Sequence, residues 1–370
     1  MKKLLGCLAV CFVLAVAALA VGGWWVSQRL SAPFGDPGGE ALTVRVEAGT
    51  PSTEILHQLE REGVIEDAGL ARLWLIYGRG DPVLQAGEYR FEPPVTIDGV
   101  IDKLVAGEVV TYPVTVIEGL TLEETATSLA DSGLGDRDAF VAAMRDPAAV
   151  ADLDPEADNL EGYLFPSTYH FAKGTAETEI VDTLVRTFRR NWRDQVQPKL
   201  APRGPQGVRG VVTLASLVEK EAGVDRERPV VAGVYANRLE RGIALYADPT
   251  VIYALKLLGR WDGNIRRPDL QLDHPYNTYV NPGLPPGPIA SPGLASLQAA
   301  AAPAEHDYIY FVSKNDGTHV FAETLAEHNA NVDRWQRRYW RERWAEERRE
   351  RAAAGDAGDT GDGKDDGGRR

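Results

Sequence analysis

The residues best suited to acid chemistry are carboxylates at the end of the run Val211-Val212-Thr213-Leu214-Ala215-Ser216-Leu217-Val218-Glu219-Lys220-Glu221. Read as a helix turning about 100° per residue, Leu214, Leu217 and Val218 fall within about 60° of Glu221, whereas Glu219 and Lys220 point well away. Glu221 is therefore expected on the apolar face and Glu219 on a solvated one. A carboxyl among apolar side chains is desolvated, which disfavours its charged form and lifts its pKa from about 4.3. A general acid needs that state near neutral pH, as where a protonated carboxyl faces the leaving oxygen of a glycoside. Periodicity alone favours the plainer reading, in which Glu221 ends the helix beside Gly223 in water.

A second cluster comprises Asp248-Pro249-Thr250, Tyr276-Asn277-Thr278-Tyr279 and Gly283-Leu284-Pro285-Pro286-Gly287-Pro288-Ile289. Aromatic rings stack on sugar faces and amides bond hydroxyl and acetamido groups, so Asp248, Tyr276, Asn277, Thr278 and Tyr279 are candidate contacts for an uncharged carbohydrate. The same composition suits an irregular packed loop, and Asp248 suits a cap before Pro249.

Other chemistries lack their residues. There is no His-Glu-x-x-His, Gly-x-Ser-x-Gly or phosphate-binding Gly-Lys-Ser/Thr sequence. The six histidines are scattered without metal-ligand spacing, so neither a metal nor another cofactor is implied. The formal charge of -14 argues against a nucleic-acid partner, whose phosphates call for a basic face. Both cysteines, Cys7 and Cys11, lie in the first apolar run, which leaves the rest of the chain without a thiol for a disulfide or a nucleophile.

These residues need elements to position them. Lys2 and Lys3 precede an uncharged, mostly apolar run over residues 4–26, long enough as a helix to cross a hydrocarbon core of about 30 Å. The lysines should stay cytoplasmic and Trp24 and Trp25 suit the outer interface, which places the remainder outside the cytoplasm. Ala18-Leu19-Ala20 resembles a signal-peptide cleavage site, but the apolar run continues past it. Residues 31–39, rich in Pro and Gly, read as a linker.

An internal repeat follows. Val44-Arg45-Val46, Gly49, Glu54, Leu59 and Gly63 recur 70 positions later as Val114-Thr115-Val116, Gly119, Glu124, Leu129 and Gly133. Each copy reads as a short strand, a turn at Gly and an amphipathic helix closed by Gly. Gly87-Glu88-Tyr89-Arg90-Phe91 alternates like a strand. From about residue 156 the texture changes to helical stretches, a loop-rich region and a strand pair around Asn315-Asp316-Gly317.

Taken together, several ordered stretches resemble the endolytic murein transglycosylases of the YceG-like type. They are Glu161-Gly162-Tyr163-Leu164-Phe165-Pro166, the stretch from Leu214 to Glu221, Asn237-Arg238-Leu239, Asp248-Pro249-Thr250-Val251-Ile252-Tyr253, Tyr276-Asn277-Thr278-Tyr279 and Gly283-Leu284-Pro285-Pro286. The family's catalytic glutamate matches Glu221. Ser167, where the family pattern leads one to expect Asp, and Tyr246-Ala247, in place of Gln-Thr or Gln-Ser, depart from it.

The resemblance implies an α+β chain. A cytoplasmic tip and single transmembrane helix would occupy residues 1–30 and a linker 31–40. LysM-like βα repeat units would span 41–155, an α+β catalytic domain with a glutamate-bearing helix 156–345, and a disordered polar tail 346–370. It also implies cleavage of the β-1,4 bond between N-acetylmuramic acid and N-acetylglucosamine in nascent peptidoglycan strands, leaving 1,6-anhydro ends. The implied setting is the inner (plasma) membrane, with the catalytic domain outside and peptidoglycan synthases as partners. The rival readings are a non-catalytic peptidoglycan-binding scaffold and a hydrolytic muramidase.

Overall fold

The computed structural model describes residues 2–356, in two compact units. The first comprises Met1–Val114 and Tyr169–Thr175; the second comprises Thr115–Thr168 and Ala176–Arg370. The chain mixes helices with short antiparallel strand pairs.

In the first unit, helix α1 (Lys2–Ser31) contains Phe12–Ser31, the one helix among the described residues long and apolar enough to cross a membrane. Its end is not free, because Leu30 is buried in the core of this unit. Strand β1 (Leu42–Val46) buries alternate residues and pairs with β2 (Gly87–Phe91), Val44 facing Tyr89. Between them lie α2 (Ser52–Arg61), which buries Ile55, Leu56 and Leu59, and α3 (Ala68–Leu73), capped by the Asp67 carboxylate on Leu70 N–H. Thr96 caps α4 (Ile97–Ala106), and Gly107 closes it in the left-handed region.

The repeat in sequence is a repeat in structure. Strand β3 (Tyr112–Val116) and α5 (Leu122–Asp131) stand where β1 and α2 stand in the first copy. The glycine turns match as well, with φ of +82° at Gly49 and +77° at Gly119, then +75° at Gly63 and +79° at Gly133. The likeness goes further than the matched residues. Each copy continues into a second helix capped by Asp, α3 behind Asp67 and α6 (Arg137–Met144) behind Asp136. Each returns in a strand carrying Tyr-x-Phe, β2 with Tyr89 and Phe91, and β4 (Ser167–Phe171) with Tyr169 and Phe171. Both ring pairs lie 18° from parallel. The division between the two units falls within β3 and β4.

The second unit is built around α8 (Gly207–Glu221), against which α9 (Arg228–Glu240), α10 (Asp248–Leu257) and α11 (Leu294–Ala301) pack. Every residue from Val211 to Val218 is at most 1% exposed, so this is a central helix buried all round rather than one with a single apolar face. Helix α7 (Glu177–Asn191) buries Ile180, Leu184 and Phe188, and Phe188 meets Tyr163 edge to face. The hairpin β5 (Tyr310–Ser313) and β6 (His319–Ala322) turns through Asn315 and Gly317, both at positive φ. Then follow α12 (Leu325–Val332), a wide-turn segment Asp333–Arg338 and α13 (Tyr339–Asp356). Residues 346–356, expected as tail, are thus helical, supported by arginine–glutamate spacing such as Arg343 with Glu347. The rest of that segment lies outside the described residues.

Candidate active site

Glu221 is the last residue of α8. The chain leaves the helix at Ala222, and Gly223 passes so close to the carbonyl of Gly317 that a Cβ there would sit 2.5 Å from it. The helix end is thereby fixed against the β5–β6 hairpin. Glu221 itself is half-buried, so its carboxyl is shielded yet reachable. Burial pushes its pKa up to about 7, and the negative charge of Asp248 adds to the rise. The helix C-terminus, with its partial negative charge, disfavours the carboxylate in the same sense.

Two side chains on α9 oppose that rise. The Tyr235 hydroxyl donates to Glu221 Oε1 at 3.3 Å, and the Arg238 guanidinium exerts an attractive field. Tyr235 and Arg238 are three residues apart and share a helix face. The Tyr235 ring is held edge-on to Phe311 of the hairpin, 6.0 Å between centroids. Arg238 donates from Nε to the Ile309 carbonyl and from Nη1 to the Leu245 carbonyl, both at 2.6 Å, and lies 5.6 Å over the Tyr310 ring. Both are anchored elsewhere, so neither neutralises the acid by a full ion pair.

Asp248, the first residue of α10, is exposed and accepts a hydrogen bond from the Tyr279 hydroxyl. Tyr279 meets Tyr246 edge to face at 5.4 Å, and Tyr246, at φ +47°, is 52% exposed. Glu221 and Arg238 both act on Tyr279, which places the Tyr246–Asp248–Tyr279 group in the same electrostatic neighbourhood as the acid.

The other expected contacts fall differently. Asn277 is 0% exposed and its polar atoms are used internally: Nδ2 donates to the carbonyls of Leu270 and Leu272, and Oδ1 accepts from Tyr279 N–H. Thr278 is 1% exposed; its hydroxyl accepts from Ala247 N–H and lies 2.9 Å from that of Thr250. Both brace the loop that carries Tyr246 and Tyr279, and no sugar can reach them. Tyr276 packs on Tyr253 at 4.8 Å and is pushed up to about 12 by burial and the charge of Glu161, so it belongs to a different neighbourhood from Glu221.

Glu219 is not on a solvated face. Its side chain is 6% exposed, pairs with Arg228 at 2.9 Å and accepts from Gly293 N–H at 2.9 Å. Because α8 is surrounded on all sides, the residue opposite Glu221 is buried too, and its charge is met by an arginine.

A second carboxyl has the same elevated pKa. Glu161, 5% exposed, is pushed up to about 7 by burial. It accepts from Leu122 N–H at the start of α5, at 3.0 Å to each oxygen, and from the Tyr253 hydroxyl at 3.1 Å. A cavity of about 590 Å³ beside it is also lined by Lys256 and Trp261. The roles of Tyr235, Tyr246, Arg238 and Glu161 escaped the reading of the sequence. The i, i+3 spacing of Tyr235 and Arg238 on a helix bordering the acid's own was the available signal for two of them.

The sequence profile of the YceG-like family matches residues 44–334. A Bacillus subtilis (strain 168) protein named endolytic murein transglycosylase is 30% identical over 337 residues, covering 86% of this chain and 91% of that protein. A protein of the same name from Streptococcus pneumoniae serotype 2 is 28% identical over 361 residues, covering 87% of this chain and 64% of its own length. The crystal structure of a yceG-like protein from Listeria monocytogenes is similar with a TM-score of 0.50 at 34% identity, covering 79% of this chain and 99% of that one.

Proposed function

The chain belongs to the YceG-like family, and on that premise we propose that it cuts peptidoglycan strands internally with Glu221 as the acid. It is a murein transglycosylase, an enzyme named in the lyase class. The proposed target is the β-1,4 bond between N-acetylmuramic acid and N-acetylglucosamine. Glu221, protonated, gives its proton to the leaving 4-oxygen as the bond from the anomeric carbon breaks. The resulting carboxylate then takes the proton of the muramic acid 6-hydroxyl, whose oxygen closes on the anomeric carbon. The proton count returns to its start, no water is consumed, and the product ends in a 1,6-anhydro ring.

One observation carries this reading: a reachable carboxyl with a pKa of about 7 can serve as acid and then as base at nearly equal ease. Arg238 and the Tyr235 hydroxyl favour its charged form and so stabilise the carboxylate left after the first transfer. Tyr246 and Tyr279 offer ring faces beside Asp248 for the neighbouring sugars. Asn277 and Thr278 support that surface from beneath.

Asp248 favours a second reading, since a further carboxylate near the acid is what a hydrolytic muramidase requires. Mass spectrometry of purified strands after incubation with the protein decides. Anhydro ends support the transglycosylase, reducing ends the hydrolase, and intact strands a binding scaffold built on the repeated units, which we take to be LysM-like.

The proposed setting is the plasma membrane, spanned once by α1 with Lys2 and Lys3 inside and the catalytic unit outside. There, cleavage of nascent strands would terminate their elongation beside the synthases. Retention in the membrane pellet after alkaline carbonate extraction, with the N-terminus intact, is the expected result. A soluble product starting near Val21 would remove the anchor.

A further inference from the structure

We propose that α13 is a docking ridge for an anionic lipid surface, a role that goes beyond glycan cleavage and does not depend on it. Arg337, Trp340, Arg341 and Trp344 line one surface groove with Asp333 at its start, and Trp344, Arg348 and Arg351 continue it along the helix with Glu347 at its edge. At about 100° per residue, these arginines and tryptophans fall within about 100° of arc. Glu342, Glu346 and Glu350 lie on the opposite side. Four of the arginines thus share the face with the two tryptophans along a ridge of about 21 Å, while Arg343 and Arg349 flank the glutamates on the other side.

That sorting is unfavourable for a helix left in water. Arg337 with Arg341, and Glu342 with Glu346 and Glu350, place like charges four residues apart, where they repel. A solvated helix gains by interleaving opposite charges, as Arg343 and Glu347 do on the flank at 3.4 Å. Among the described residues, none of Arg337, Arg341, Arg348 and Arg351 has a carboxylate partner, whereas Arg338 pairs with Asp333 at 2.9 Å. Arg341 and Arg348 donate instead to the carbonyls of Arg337 and Trp344. Four unpaired guanidinium groups on one face, in a chain of net charge -14, call for an anionic partner.

The aromatic residues narrow the choice. Trp340 and Trp344 lie side by side at 6.2 Å, and Trp344 is 57% exposed. Indoles interleaved with arginines suit the headgroup level of a bilayer, where the ring meets the acyl boundary and the guanidinium meets phosphate. The same chain carries the apolar α1, and the proposed membrane anchor makes a lipid surface the anionic partner to test first. Helix α13 runs on directly from the wide-turn segment, and Arg341, Trp344, Arg348 and Arg351 are exposed along it.

The test is amide hydrogen exchange on the full chain in nanodiscs of phosphatidylcholine alone or mixed with phosphatidylglycerol. Exchange over residues 337–351 should slow by about tenfold with the anionic lipid and recover at high salt. The double variant Arg341→Glu/Arg348→Glu should lose that protection, while Glu346→Gln should keep it. Equal exchange in both lipids overturns the proposal even if no variant folds. So does protection that survives the arginine reversals, or that inorganic polyphosphate supplies equally well in phosphatidylcholine discs. Cleavage of solubilised strands by the same preparations should be unchanged, so failure of the ridge and failure of the enzymatic reading are told apart.

Discussion

Glu161 and Glu221 lie in the same unit, and burial pushes both carboxyls to about 7. They differ in what holds them. Both oxygens of Glu161 accept from Leu122 N–H and one also from Tyr253, so the group is fully engaged in tying the start of α5 to α10. Glu221 receives a single long bond from Tyr235 and stands at a half-buried helix end, with the charge of Asp248 nearby. An elevated pKa therefore does not by itself identify an acid catalyst. What separates the two is whether the proton can reach anything but the protein.

The sharpest way to break the comparison is to exchange each carboxyl. Glu221→Gln keeps size and shape but removes the transferable proton, so cleavage should fall by about 10²–10⁴-fold with little change in melting temperature. Glu161→Gln should leave specific activity intact. If the two results were reversed, as read by anhydro-end formation, the acid would have been placed in the wrong neighbourhood.

The pH profile comes next. With Glu221 as the protonated acid, kcat/KM should drop about tenfold per unit as pH rises above about 7. Asp248 raises the acid's pKa by like-charge repulsion, so Asp248→Asn should move that limb to lower pH, and Glu161→Gln should not move it. A limb displaced by Glu161→Gln alone would reassign the titration.

Stability should report on the other carboxyl. Glu161→Ala strands the Leu122 N–H and the Tyr253 hydroxyl, each worth about 1–3 kcal/mol when left unpaired, so urea titration should show a loss of about 2–6 kcal/mol. A carboxyl whose folded pKa is raised binds its proton more tightly in the native state, so its contribution is complete below about pH 4.5 and lost as pH climbs to about 7. For Glu161 that loss is about 3 kcal/mol, and Glu161→Gln should flatten it. A pH-stability curve unchanged by Glu161→Gln would refute the buried, protonated assignment.

The smallest effect is expected at Asn277. Asn277→Ala removes two donated bonds and one accepted bond that brace the loop beneath Tyr279, which should cost about 1–3 kcal/mol while the folded remainder cleaves normally. A tenfold loss of specific activity at unchanged melting temperature would instead return Asn277 to the substrate.

Much of this was legible because the signals are local. The shift of 70 gave both strand–helix copies, since strands, glycine turns and capped helices are set by neighbouring residues. The second helix of each copy and the likeness of Gly87–Phe91 to a later strand went unread, since the caps Asp67 and Asp136 stand 69 apart and the Tyr-x-Phe strands 80 apart, both off the shift of 70. Glu221 was legible through its apolar neighbours. Glu219 was misread, because periodicity assumes a helix with one wet side, and only tertiary packing reveals that α8 has none. Asn277 looked like a sugar contact because amides serve ligands and loops with the same bonds. Which partner they take depends on residues brought together by the fold.

The first unit is closed by residues made late. Lys173 stands 3.5 Å from the Glu88 carboxylate and 4.5 Å over the Tyr112 ring, yet residues 115–168 come between it and the rest of that unit. Synthesis runs from the N-terminus at about 5–20 residues per second, so the end of α4 emerges roughly 3–13 s before the lysine that pins it, and β1 and β2 earlier still. The first unit must therefore wait, incomplete, while much of its neighbour is being made. A fragment ending at residue 155, where the repeated region was expected to stop, never receives that residue at all.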